Sequence, residues 1–60
     1  MKRILKEDKD FFEAALKKAR VTVFSDGHVV DYGGTIEKYS PLSVKIKDTY
    51  YMRNQYEFRV

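Results

Sequence analysis

RVTVFSDGHVVDYGGTIEKY, residues 20–39, carries the pattern that decides the fold. Val21 and Val23 alternate with Arg20, Thr22 and Phe24, and a period of two fits a half-buried strand. Ser25-Asp26-Gly27-His28 follows, and Asp-Gly supplies the positive φ angles of a two-residue hairpin turn. A second strand is expected from about His28 to Tyr39, interrupted by Gly33-Gly34. Two glycines inside a strand predict a bulge or sharp bend, the device that lets a sheet curl.

Downstream, Ser40-Pro41 breaks the pairing, and Leu42, Val44 and Ile46 then alternate with Ser43, Lys45 and Lys47 in a third strand. Asp48-Thr49 is expected to turn the chain into Tyr50, Tyr51 and Met52. Arg53-Asn54-Gln55 is expected to turn it again, into a last strand where Tyr56, Phe58 and Val60 alternate with Gln55, Glu57 and Arg59.

Upstream, the period is helical. Phe12, Ala15, Leu16 and Ala19 fall at i, i+3, i+4 and i+7, which predicts a helix over about 8–19 with those residues as its apolar stripe. Asp10 with Glu13 has the form of a capping box, and Asp8 is the competing cap. Residues 1–7 form an arm whose Ile4 and Leu5 are expected to pack back onto the helix, with Lys2, Arg3, Lys6 and Lys9 solvated. The fold class is thus mainly β with one N-terminal helix: a single domain over 1–60, with five short antiparallel strands over about 20–60.

Size sets limits on this domain. A chain of 60 residues buries only about 60% of its unfolded surface, so its core is marginal. There is no cysteine, which removes disulfides and thiolate metal sites, so idealised packing or oligomerisation must supply the rest. The chain is 43% hydrophobic and 15% aromatic, which argues against disorder. Its apolar runs are far short of the ~20 residues a membrane helix needs, so no membrane partner is expected and a cytoplasmic location is the default.

These residues, in this order, resemble the Sm family and its bacterial Hfq branch. The first Sm motif pairs alternating apolar residues with Asp/Asn-Gly and then glycine, one residue and an aliphatic. Here those are Val21, Val23, Asp26-Gly27 and Gly34-Thr35-Ile36. Ile36-Glu37-Lys38-Tyr39, followed by Val44, Ile46 and Lys47-Asp48-Thr49, is similar in spacing to the segment that follows. Met52-Arg53-Asn54-Gln55-Tyr56-Glu57-Phe58 is similar to the second motif, with Asn54 in the glycine's place. Ser40 stands where the family has a loop acid, and Leu42 where it has a base-stacking aromatic.

The resemblance implies an SH3-type, strongly bent five-stranded barrel, and a homo-oligomeric ring, hexamer or heptamer, that binds single-stranded RNA without a cofactor. It places Ser40, Pro41, Leu42, Arg53, Asn54 and Gln55 at the pore, where arginine meets phosphate or a base and amides read base edges. It places Lys17, Lys18 and Arg20 on a basic rim. Tyr50, Tyr51, Tyr56 and Phe58 would be covered by strand pairing between neighbouring subunits. The net charge of +3 is modest, but six copies would carry about +18, enough to attract phosphate through counterion release.

Other readings of the same residues stay open. The pore residues are equally ordinary turn residues, and the rim lysines are helix-end cations that favour the dipole. Lys45 and Lys47 read as a short basic strip or a solvated face. An SH3-like protein-interaction module, or a small phage-type structural or inhibitor protein without RNA binding, fits the same barrel. Catalysis is not expected. His28 is the sole histidine and sits beside a turn, and the acidic residues show neither metal-ligand spacing nor a convergent triad.

Overall fold

Asp26 and Gly27 adopt left-handed backbone angles, φ 52° and 77°, in a computed structural model that describes residues 3–60. They close a two-residue hairpin in which Ser25 faces His28, as the Asp-Gly pair predicts. Around this hairpin the chain forms β1 (Ile4–Leu5), α1 (Asp8–Leu16), β2 (Val21–Ser25), β3 (His28–Gly34), β4 (Ile36–Tyr39), β5 (Ser43–Ile46), β6 (Thr49–Met52) and β7 (Glu57–Arg59).

The strands form two antiparallel sheets, ordered β1-β7-β2-β3 and β4-β5-β6, and the described residues do not close into a barrel. Seven strands replace the expected five for two reasons. The long second strand divides at Gly34-Thr35, where the chain leaves one sheet and enters the other. The arm also forms a strand: Ile4 and Leu5 pair with Arg59 and Phe58 instead of packing only on the helix. Met1 and Lys2 of the expected arm lie outside the described residues.

Gly34 makes the crossing possible by close approach. A Cβ there would collide with the Ile46 side chain and press within 3.2 Å of the Lys47 stem. Gly33, at φ 75°, supplies the backbone angle that a side chain would resist. The β5–β6 hairpin turns at Lys47-Asp48, one residue earlier than expected, with both residues left-handed and Ile46 facing Thr49.

The helix differs from its expected form in face and length. Phe11 and Ala14 are buried, whereas Phe12 and Leu16 are 55% and 69% exposed. Adjacent phenylalanines permit two stripes, and the Phe11 ring wins by meeting Phe58 edge-to-face with centroids 5.4 Å apart. Glu7 is the N-cap, in place of Asp10 or Asp8, and Asp10 acts from the third helical position. Its carboxylate accepts hydrogen bonds from the Lys6 and Glu7 amides, satisfying donors that a helix start otherwise orphans.

The helix stops at Leu16 because Lys18 turns left-handed, φ 54°. The Lys18 and Ala19 amides then donate to the Ala15 and Ala14 carbonyls, a paired closure usually built on glycine. No helix is long and apolar enough to cross a membrane among the described residues.

Between the sheets and the helix lie Leu5, Phe11, Ala14, Val21, Val23, Ile36, Val44, Ile46, Tyr51 and Phe58. Val21 and Val23 confirm the inward parity of the first strand, and Val44 and Ile46 that of the third. Leu42 falls outside β5 and is exposed.

Candidate functional site

The two segments assigned to the pore do meet. The Arg53 amide donates to the Leu42 carbonyl at 2.9 Å, which holds the 40–42 loop against the turn after β6. The Arg53 side chain, however, points inward and is only 13% exposed. Its guanidinium donates to Asp8 Oδ1 at 2.6 Å, to the Ser40 carbonyl at 2.8 Å and to the Lys6 carbonyl at 3.2 Å. Its face lies 4.3 Å from the centroid of the Phe11 ring. Arg53 thus ties helix, arm and loop together. Asn54 borders a cleft of about 380 Å³ between arm and turn, with Ile4, Lys6, Pro41 and Tyr56 on its walls. Gln55, Ser40 and Leu42 are exposed.

The four residues assigned to a subunit interface divide. Phe58 is 1% exposed and Tyr51 is buried, so both serve the core of their own chain. Tyr56 packs edge-to-face on Tyr51 at 5.1 Å, and Tyr50 alone is left largely in solvent. The two outer flanks of β7 are occupied as well, by β1 on one side and β2 on the other.

Behind Tyr51 lies a small polar network that joins the sheets. The Tyr51 hydroxyl donates to Asp31 Oδ2 at 3.1 Å, and Lys47 Nζ pairs with Asp31 Oδ1 at 3.0 Å. Lys47 also donates to the Tyr32 carbonyl at 2.9 Å. Burial pushes the Asp31 carboxyl up, but the hydrogen bonds from Lys47 and Tyr51 outweigh it and hold it below the usual range. Asp10 is lowered too, by the Glu7 and Lys6 amides.

A lowered folded value means stability that is present above the unfolded value, about 3.9, and lost as pH falls through the folded one. Thermal melts from neutral pH to about pH 2.5 are therefore expected to fall steeply below about pH 4. Asp31→Asn should flatten that limb without abolishing it, because Asp10 remains. An acid limb unchanged in Asp31→Asn would exclude the network as its source.

Of the basic rim, Lys17 pairs loosely with Glu13 at 3.9 Å and Lys18 closes the helix. Arg20 is exposed just before β2. Because Val21 and Val23 point inward, Arg20, Thr22 and Phe24 share the outer side. Thr22 faces Arg59 across the sheet, and Phe24 faces Val29. The Arg59 guanidinium lies 4.3 Å from the centroid of the Phe24 ring and is oriented by two contacts to Glu57, at 3.1 and 3.3 Å. Tyr32, 75% exposed, completes a groove of about 130 Å³ with Thr22, Phe24, Val29, Arg59 and Val60.

This face is the strongest candidate site, and sequence reading singled out only Arg20 of its residues. The signal was available in the parity of β2: if Val21 and Val23 are core, Phe24 must lie outside. The register that adds Tyr32 depends on an irregularity between Val23 and Phe24, where Val30 is the extra residue of β3. No local pattern announces it.

Compared with known protein families, curated proteins and solved structures, the chain matches none.

Proposed function

We propose that this chain is a small single-stranded nucleic-acid-binding module, and that its contact surface is the outer face of the β1-β7-β2-β3 sheet. The observation that carries this reading is the convergence of Phe24, Tyr32 and Arg59 on one groove, with Arg59 stacked on Phe24 and Arg20 exposed just before β2. The exposed Tyr32 ring offers a stacking platform to an unpaired base, and Arg59, lying over the half-buried Phe24, adds both a planar face and a phosphate donor. A base paired inside a duplex cannot present its face to such a ring, so single strands are preferred.

An SH3-type bent barrel, left open between its two sheets, belongs to this reading. Its support is the strand path β7-β2-β3, which continues through Gly34-Thr35 into β4-β5-β6. A homo-oligomeric ring is the second reading, favoured by the outer edge of β6, unpaired among the described residues, with its exposed Tyr50 and Met52. Strand addition at β7 would require β1 to leave, so the monomer with its sheet face is preferred.

Fluorescence anisotropy with labelled oligo(U), oligo(A) and a duplex of equal length is the test, with light scattering on the same samples. Binding should favour the single strands and weaken with added salt. Tyr32→Ala should cost about 1–3 kcal/mol of affinity, or roughly 5- to 150-fold, with an unchanged melting temperature because the ring is mostly solvated. No affinity for either oligonucleotide at low salt would overturn the proposal and leave protein docking on this face. A ring-sized mass would favour the second reading.

A further inference from the structure

The second sheet carries its own groove, which shares no lining residue with the first. It holds about 220 Å³ and is lined by Lys38, Tyr39, Ser40, Ser43 and Tyr50. Three features give it a chemical preference.

The first is charge. Lys38 on β4 stands directly across from Lys45 on β5, and like charges opposite one another weaken a sheet. Glu37 and Asp48 both neutralise Lys45, at 3.9 and 3.4 Å, and among the described residues Lys38 makes no ion pair. The groove therefore has one ammonium without a counter-anion.

The second feature is hydroxyl donors. Ser40 Oγ accepts hydrogen bonds from the Leu42 and Ser43 amides at 3.2 and 3.1 Å, which fixes its position. It lies 3.4 Å from Ser43 Oγ. Whichever of the two serves as donor to the other, one hydroxyl hydrogen remains for an anion. The third is a planar surface. Tyr50 is well exposed and its ring sits at the groove, with the Lys45 ammonium 5.5 Å from its centroid, and Tyr39 also lines the groove.

We propose that this groove binds a nucleotide, its phosphate held by Lys38 and a serine hydroxyl and its base stacked on Tyr50. Phosphate suits an ammonium with hydroxyl donors, and a base suits an exposed phenol ring. The site stands whether or not the outer face of the first sheet binds nucleic acid, because it shares no residue with that face. Its occupant is either a free mononucleotide or the phosphorylated end of a strand.

Amide chemical-shift mapping on the whole chain tests it, with UMP, AMP, uridine and inorganic phosphate as probes. UMP and AMP are expected to perturb Lys38, Ser43 and Tyr50 with a Kd on the order of 1 mM or tighter. Uridine and inorganic phosphate should each bind more weakly than the intact nucleotide. Lys38→Gln and Tyr50→Leu, both exposed positions, should each weaken UMP about tenfold with the melting temperature unchanged.

Adding an oligonucleotide with and without a 5′-phosphate identifies the source. Dependence on that phosphate indicates a strand end, and indifference to it with UMP binding intact indicates the free nucleotide. Either outcome supports the site. Absence of shifts in the groove, shifts confined to Phe24, Tyr32 and Arg59, or full UMP binding by Lys38→Gln would overturn it.

Discussion

Arg53→Ala is expected to destabilise the fold by about 2–4 kcal/mol. The guanidinium satisfies the Ser40 and Lys6 carbonyls, pairs with Asp8 and covers the Phe11 ring. Hydrogen bonds to a charged donor contribute about 1.5–3 kcal/mol each, and a partly desolvated cation–π contact up to about 2. These overlap, because one side chain makes them all, and Asp8 is largely solvated. The sum is therefore well below simple addition.

A domain of this length has about 3–9 kcal/mol in total at roughly 0.05–0.15 per residue, so the loss takes a large part of it. Thermal denaturation should show a midpoint lowered by about 8–32 °C, at roughly 4–8 °C per kcal/mol. Arg53→Lys should recover little, since one ammonium cannot reproduce a planar fork with three acceptors. A variant with an unchanged midpoint and reduced oligonucleotide affinity would return Arg53 to the role the Sm resemblance implies.

Gly34→Val is expected to destabilise by about 3 kcal/mol or more, and Gly34→Ala by about 1–3, the usual range for overpacking a filled core. The added carbons would meet the Ile46 side chain, which is fully buried between the sheets and has little room to yield. Urea denaturation of Gly34→Ala, Ile46→Leu and the pair gives a cycle that isolates the collision, because leucine lacks the Cγ2 methyl that the new Cβ would meet. Removing that methyl should recover part of the Gly34→Ala loss, a coupling of about 0.5–3 kcal/mol. Additive single effects would show that the strain at residue 34 is in the backbone and not against Ile46.

These positions also show where sequence reading works and where it stops. Asp26-Gly27 is legible because its chemistry is local: two residues fix two φ angles and hence a hairpin. The alternation of Val21, Val23, Val44 and Ile46 is legible for the same reason, one parity choice settling a whole strand. Phe11 and Phe12 are not separable locally. Both present an apolar stripe, and the decision is made by Phe58, 47 positions away from Phe11.

Arg53 fails in a related way. Its turn and its approach to the 40–42 loop are readable, but the direction of its side chain is set by Asp8 and the Lys6 carbonyl at the far end of the chain. Phe58 looks like a surplus aromatic until β1 pairs with it and Phe11 of α1 packs on it, and Tyr51 until Tyr56 and Asp31 close on it. Ile4-Leu5 is too short to read as a strand alone, and only the free edge of β7 makes it one.

That two-residue strand also ranks the molecule's regions by how readily they open. With β1 on one flank and β2 on the other, β7 is an interior strand, so its amides should exchange with solvent only in the deepest fluctuations. β6, by contrast, is a margin of the second sheet, held among the described residues by β5 alone and a short hairpin. Partial openings should therefore begin there and dissolve the Tyr50 side of its groove first. The Phe24–Arg59 stack rides on β2 and β7, and it would outlast them.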